Sequence, residues 1–281
     1  MSAALSGSLR MLLARGEPVM LVRVARARGS TPRGTDAAML VSGRETFGTI
    51  GGGQLEFHAT DVARGLMAAG AAHHRLTIPL GAHLGQCCGG QVSLEFCAGT
   101  PEVAGGMARG EALLEDSFSP VLIFGAGHTG RALALALASL PFATTLIDDR
   151  AQTLLDLPAR IATLRLDDPA EAIAAAPPGA AFVILTHSHA LDYRLAQAVL
   201  LRRDAAYAGM IGSATKRARF ERWFVASGGT REDLAALACP IGGGAVADKR
   251  PAVIAALTAA ELLARCAAFQ RPLARVREAV A

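Results

Sequence analysis

The stretch Val121-Leu122-Ile123-Phe124-Gly125-Ala126-Gly127-His128-Thr129-Gly130 decides the reading of this chain. An apolar run enters Gly-x-Gly-x-x-Gly, and an alanine- and leucine-rich helical pattern follows at once. Each glycine has its own task in such a strand–loop–helix unit. Gly125 permits the tight turn, Gly127 lets the backbone approach a phosphate, and Gly130 lets the helix pack closely on the strand. Asp148 ends the next apolar strand, roughly 20 residues past the loop, where an acid that accepts a ribose hydroxyl is expected. The bland alternative is a local salt bridge from Asp148-Asp149 to Arg150, on a scaffold that holds no dinucleotide. Further strand-like runs at 144–148, 161–166, 181–186 and 207–211 alternate with helical patterns at 130–139, 169–175, 191–203, 214–227 and 251–268. That alternation predicts a parallel sheet covered on both faces, a Rossmann-like domain over residues 119–281.

Upstream the pattern differs. A short amphipathic helix over 1–17 precedes strands at 19–26, 37–42 and 46–50, a helix at 54–67, and strands at 74–80 and 91–97. Residues 1–98 therefore read as an α+β domain, and 99–118, with Gly105, Gly106, Gly110 and several acids, as a linker with some helix. The fold class is α/β: an N-terminal α+β domain followed by a Rossmann-like parallel-sheet domain.

Composition narrows the function classes. The 281 residues are 52% hydrophobic and 19% charged, which excludes a disordered chain. Of 28 basic residues only Lys216 and Lys249 are lysines, the net charge is +4, and no run of like charges occurs. A nucleic-acid partner is not expected, since its electrostatic footprint is missing. Arg10 and Arg15 interrupt the N-terminus as a signal peptide, and no window approaches the ~18 uncharged apolar residues that usually span a bilayer. A cytoplasmic protein without a membrane segment is expected. Five cysteines, an odd number in so long a chain, argue against a disulfide framework.

The loops carry the chemistry. Gly81-Ala82-His83-Leu84-Gly85-Gln86-Cys87-Cys88-Gly89-Gly90 sets adjacent thiols among glycines, where a thiolate could reach a soft metal or a sulfur donor. Cys97, Cys239 and Cys266 read instead as core. Thr49-Ile50-Gly51-Gly52-Gly53-Gln54-Leu55-Glu56 is strand, loop and helix start, so its successive N–H groups form an anion nest, with Arg33 as counter-charge. Thr186-His187-Ser188-His189 falls at the carboxyl edge of the parallel sheet, where His187 could hydrogen-bond a ligand. Ser213 can cap the helix at 214–227, leaving N–H groups, Lys216 and Arg217 facing an anion.

These motifs resemble a known family. Gly29-Ser30-Thr31-Pro32-Arg33, the Gly51–Gly53 loop with Leu55-Glu56, and Leu84 to Gly90 are similar to the N-terminal motifs of the xanthine dehydrogenase accessory proteins, the XdhC and CoxI group. Phe124 to His128, Asp148-Asp149-Arg150, Thr186-His187 and Gly209 to Ser213 resemble that family's Rossmann-like domain. The segment Pro240 to Val246 departs from the family pattern, although Lys249-Arg250-Pro251 keeps it. The resemblance implies a chaperone for molybdopterin, the organic part of the molybdenum cofactor. A cysteine desulfurase partner would supply the sulfido ligand, and an apo xanthine dehydrogenase would accept the cofactor. It implies metal or sulfur contact through Cys87 and Cys88, anion contact through Arg33, Gly51, Gly52, Gly53 and Gln54, and pterin-phosphate or nucleotide contact through Gly125, Gly127, Gly130, Asp148, His187 and Ser213. A homodimer would shelter such a glycine-lined site. The alternative is an NAD(P)-dependent oxidoreductase using the Gly125 loop and Asp148, with Cys87 or Cys88 redox-active.

Overall fold

The computed structural model describes residues 4–81, 89–243 and 246–269. They form two compact units, divided between Leu114 and Glu115.

The first unit is built on five antiparallel strands: β1 (Val19–Arg28), β2 (Ala38–Ser42), β3 (Thr46–Thr49), β4 (His73–Pro79) and β5 (Gln91–Ala98). Their order is β3-β2-β1-β5-β4. Alternate residues of a strand face opposite sides, and both sides are used here. Met20, Val22, Val24, Leu94 and Phe96 pack with Leu55, Ala59 and Ala63 of α2 (Gln54–Ala68). Val19, Leu21 and Leu40 pack with Leu9 and Leu12 of α1 (Leu5–Ala14).

The stretch read as a linker is mostly helix, α3 (Pro101–Asp116). Gly105, Gly106 and Gly110 weaken its helical pattern by about 1 kcal/mol each relative to alanine. Packing outweighs that cost. Ala104 is buried among Leu9, Leu12 and Leu21, Thr100 Oγ1 accepts the Val103 N–H, and Glu111 accepts the Ser6 N–H at 3.0 Å.

The second unit holds six parallel strands, β6 (Ser119–Phe124), β7 (Phe142–Asp148), β8 (Ala162–Arg165), β9 (Ala181–Ile184), β10 (Tyr207–Met210) and β11 (Leu237–Ala238). The order β11-β10-β9-β6-β7-β8 shows the chain building outward from β6 on one side, then returning to build from β9 on the other. A crevice outside the carboxyl ends of β6 and β9 follows from that reversal, and ligands of open α/β sheets bind there. α4 (His128–Leu137) and α9 (Pro251–Phe269) cover one face, and α5 (Ala170–Ala175), α6 (His189–Arg202) and α7 (Ala214–Ala226) the other.

Four sequence expectations shift here. β8 is exposed throughout, as an edge strand, where a buried one was read. β11 and the short helix α8 (Arg231–Leu234) were not foreseen, because two and four residues are too short to show a period. α4 starts at His128, so Gly130 lies inside its first turn. Finally, α9, not read as a span, is long and apolar enough to cross a membrane by length and composition alone, although Glu261 and Arg265 keep it from being an uncharged window. Within the unit it buries a stripe, Ala255, Ala259, Leu262 and Cys266, in the same core as Leu133 and Leu137 of α4.

Candidate functional site

In the first unit, antiparallel register decides which loops meet. Arg28 pairs with Gln91, Pro79 with Gln91, and Ala38 with Thr49, so β3 ends beside the start of β2, and β1 ends where β4 ends and β5 begins. Three connections therefore gather at one end of the sheet: 29–37, 50–53 and the two described ends, Leu80–Gly81 and Gly89–Gly90, of the segment between β4 and β5. Contacts between them are close. A methyl group on Gly51 would lie 2.9 Å from the Pro32 ring, and one on Gly90 would lie 2.3 Å from Ser30 O and 2.7 Å from Arg28 O. Leu80 N–H donates to Gly90 O at 2.7 Å, closing the base of the third connection. Cys87 and Cys88 lie between these anchored ends, at positions outside the described residues.

The glycine nest exists, with an unforeseen occupant. Gly51, Gly52 and Gly53 have φ of 134°, 79° and 64°, a region that only glycine enters freely. Glu56 Oε1 accepts the Ile50 N–H at 3.0 Å and the Gly52 N–H at 2.9 Å, and it also accepts the Thr49 hydroxyl. Burial opposes the charged form of Glu56, but these donors outweigh it and hold the carboxyl below its ordinary value. The chain's own carboxylate thus takes the N–H groups that the sequence reading reserved for an external anion. The signal was visible: Glu56 sits three residues past the Gly53 cap, where a side chain reaches back to loop amides. Arg33, Gly53 and Gln54 are exposed beside the nest.

At the switch-point crevice the glycines divide as expected. A methyl on Gly125 would lie 2.3 Å from Leu185 O, and one on Gly130 would lie 1.9 Å from Gly125 O. One on Gly127 would meet nothing within 4 Å. α4 starts at that open position with no side-chain cap and no acid in its first turn, so its leading N–H groups face an anion-favouring field.

Asp148 is deeply engaged. Its Oδ1 accepts Arg150 N–H at 3.0 Å and Arg150 Nε at 2.8 Å; its Oδ2 accepts Ala126 N–H at 2.6 Å and the Arg150 guanidinium at 2.9 Å. Burial pushes its pKa up, yet the Arg150 and backbone donors prevail, and the carboxyl is held well below the usual range. A carboxylate offers about four lone-pair positions, and here all are filled. Asp148 braces the glycine loop. Beside it His187 is exposed, and with Gly125, Asp149, Asp167 and Thr186 it lines a notch of about 30 Å³.

Ser213 caps α7, accepting the Lys216 N–H at 3.2 Å. Lys216 does not face outward. Its Nζ donates to Asp192 Oδ2 at 2.5 Å and to Ile211 O at 2.8 Å, and Asp192 also accepts the Thr186 N–H and hydroxyl. Arg217 likewise turns to Glu221 and the carbonyls of Leu237 and Cys239. A cavity of about 290 Å³ opens nearby, lined by Gly212, Pro240, Gly242, Asp248 and Lys249 among others.

Cys239 and Cys266 are buried as read, whereas Cys97 is half-exposed next to His73 and Glu95. Hydrogen bonds from Arg75, His73 and Arg23 lower the Glu95 pKa to about 2.

Comparison with known proteins follows the same division. A family model described as the XdhC Rossmann domain matches residues 121–262, and one described as the XdhC and CoxI family matches residues 12–78. A crystal structure described as a xanthine dehydrogenase from Bacillus halodurans is 17% identical and aligns with a TM-score of 0.75 over 96% of this chain and 99% of that one. At such identity the likeness establishes the shared fold. No curated protein matches the chain.

Proposed function

The chain belongs to the XdhC and CoxI family, and on that premise we propose that it binds the molybdenum cofactor as cargo, shields it during sulfuration and inserts it into a xanthine dehydrogenase. The observation that carries this reading is the meeting of three connections at one end of the first unit's sheet, with the Cys87-Cys88 pair falling between Gly81 and Gly89. Thiolates suit a sulfur-ligated molybdenum centre or its terminal sulfur. Arg33, Gly53 and Gln54 are the exposed groups offered to anionic parts of the cargo. The Gly51–Gly52 segment, its N–H groups held by Thr49 and Glu56, serves as a rigid wall.

The uncapped start of α4 above Gly127 fits a phosphate, and we assign it the pterin phosphate or a nucleotide, with Gly125 and Gly130 shaping the turn. His187 and Ser213 border the same sheet edge. The partners of this reading are a cysteine desulfurase that supplies sulfur and the apo enzyme that accepts the product, both in the cytoplasm. A second copy of the chain would close the loop end against solvent. As an NAD(P)-dependent oxidoreductase the chain would need Asp148 to accept a ribose hydroxyl, and its four filled positions weigh against that.

The test is to purify the chain from a molybdenum-replete host and assay bound pterin and metal, beside Cys87→Ala and Cys88→Ala. Pterin and molybdenum should copurify and fall in at least one variant. Full retention in both variants would remove the thiol contact. A chain free of pterin that binds NAD at micromolar concentration would favour the oxidoreductase.

A further inference from the structure

We propose that His73, Glu95 and Cys97 form a binding site for a zinc-like divalent transition metal on the first unit's sheet. Antiparallel pairing sets His73 of β4 directly opposite Cys97 of β5, and Glu95 lies two residues along β5. Residues two apart share a face, so an imidazole, a carboxylate and a thiol point the same way. His73 Nε2 is 3.1 Å from Glu95 Oε1, and one ligand atom from each of the three residues lies within 4.8 Å of the others. Ligands around tetrahedral zinc, at ~2.0–2.3 Å from the metal, sit roughly 3.3–3.8 Å from one another. Small side-chain rotations close the remaining gap without moving the strands.

The donor set selects the metal. A thiol with an imidazole and one carboxylate suits zinc or cobalt and fails for magnesium or calcium, which require oxygen. Binding replaces the Cys97 thiol proton, which leaves to solvent, and no electrons are transferred. Two arginines now hold Glu95: Arg75 on Oε1 at 2.9 Å and Arg23 on Oε2 at 2.6 Å. Their side chains are 72% and 54% exposed, against 13% for Glu95. Arg75 is therefore free to turn into solvent when a metal takes Oε1. Arg23 can stay on Oε2, orienting the carboxylate as outer-shell partners of metal ligands do. With His73 itself 53% exposed, the fourth coordination position opens to water. None of these residues belongs to the loop end assigned to the cofactor, so this site stands or falls separately from that assignment.

Cobalt(II) is the probe, added to the full chain carrying Cys87→Ser and Cys88→Ser so that the paired thiols do not compete. One equivalent should give a thiolate-to-cobalt charge-transfer absorption. Adding Cys97→Ser should abolish it, and His73→Ala should weaken binding at least roughly tenfold. A band that survives Cys97→Ser, or no band at saturating cobalt, would overturn the site. A second measurement needs no ligand substitution: zinc should slow alkylation of Cys97 in the same chain, read by mass spectrometry. An unchanged alkylation rate would equally overturn it.

Discussion

An alanine at position 130 would bring its methyl carbon 1.9 Å from the carbonyl oxygen of Gly125 and 2.8 Å from Leu185 Cδ1. The nearer atom is backbone and cannot swing aside. At position 127 the same methyl meets nothing within 4 Å, on a backbone with φ of −68° that any residue adopts. Gly130→Ala should therefore destabilise the chain by about 1–3 kcal/mol through overpacking, despite a helix-propensity gain of about 1 kcal/mol. Gly127→Ala should stay within ~0.5 kcal/mol of the parent. Urea unfolding of both variants checks the contrast, and equal losses would contradict it. The turn at Gly125 and the close packing at Gly130 were legible in the sequence because Gly-x-Gly-x-x-Gly between a strand and a helix sets its backbone path. The partners of acids were legible in part: the bridge from Asp148 to Arg150 was read as the bland alternative, and Glu56 stands where a side chain reaches back to loop amides. Glu56 and Asp148 both lie near plausible ligand loops, and the coordinates reveal that loop N–H groups already occupy them.

Between elements, a buried polar tie joins the loop after β9 to that after β10. Asp192 of α6 is fully buried and takes Thr186 and Lys216, while Lys216 of α7 also holds Ile211 O. Removing the cation alone leaves a buried carboxylate with no counter-charge. Lys216→Met should cost about 3–5 kcal/mol, and adding Asp192→Leu should recover part of that loss. A double-mutant cycle in guanidinium measures it, and strictly additive losses would show that the pair acts through no direct coupling. The sequence reading set Lys216 facing an external anion, whereas the anion it meets is the chain's own Asp192. Long periodic elements such as α6 and α7 were legible. By contrast, β11, α8 and the glycine-bearing α3 depend on tertiary contacts that no local pattern records.

At the scale of the molecule, the change in hydrophobic period marks the two units, since alternation suited to an antiparallel sheet gives way to strand-and-helix alternation. The boundary itself was less legible, because α3 carries the glycines of a linker while burying Ala104 among α1 and β1. Each unit has cores of its own. Phe96 is fully buried with Met20, Val22 and Leu55 in the first, while Phe182 and Val199 share a core in the second. Truncating a buried phenylalanine costs about 3–5 kcal/mol, a large part of the ~5–15 kcal/mol that holds a domain folded. Phe96→Ala should therefore speed amide exchange across β1 and β5 by orders of magnitude. Protection in β6 and β9 should stay at the parent's level, because none of their core contacts is lost. Hydrogen exchange read by mass spectrometry resolves the two sheets. Equal acceleration in both would mean that the units unfold as one cooperative body, despite having separate cores.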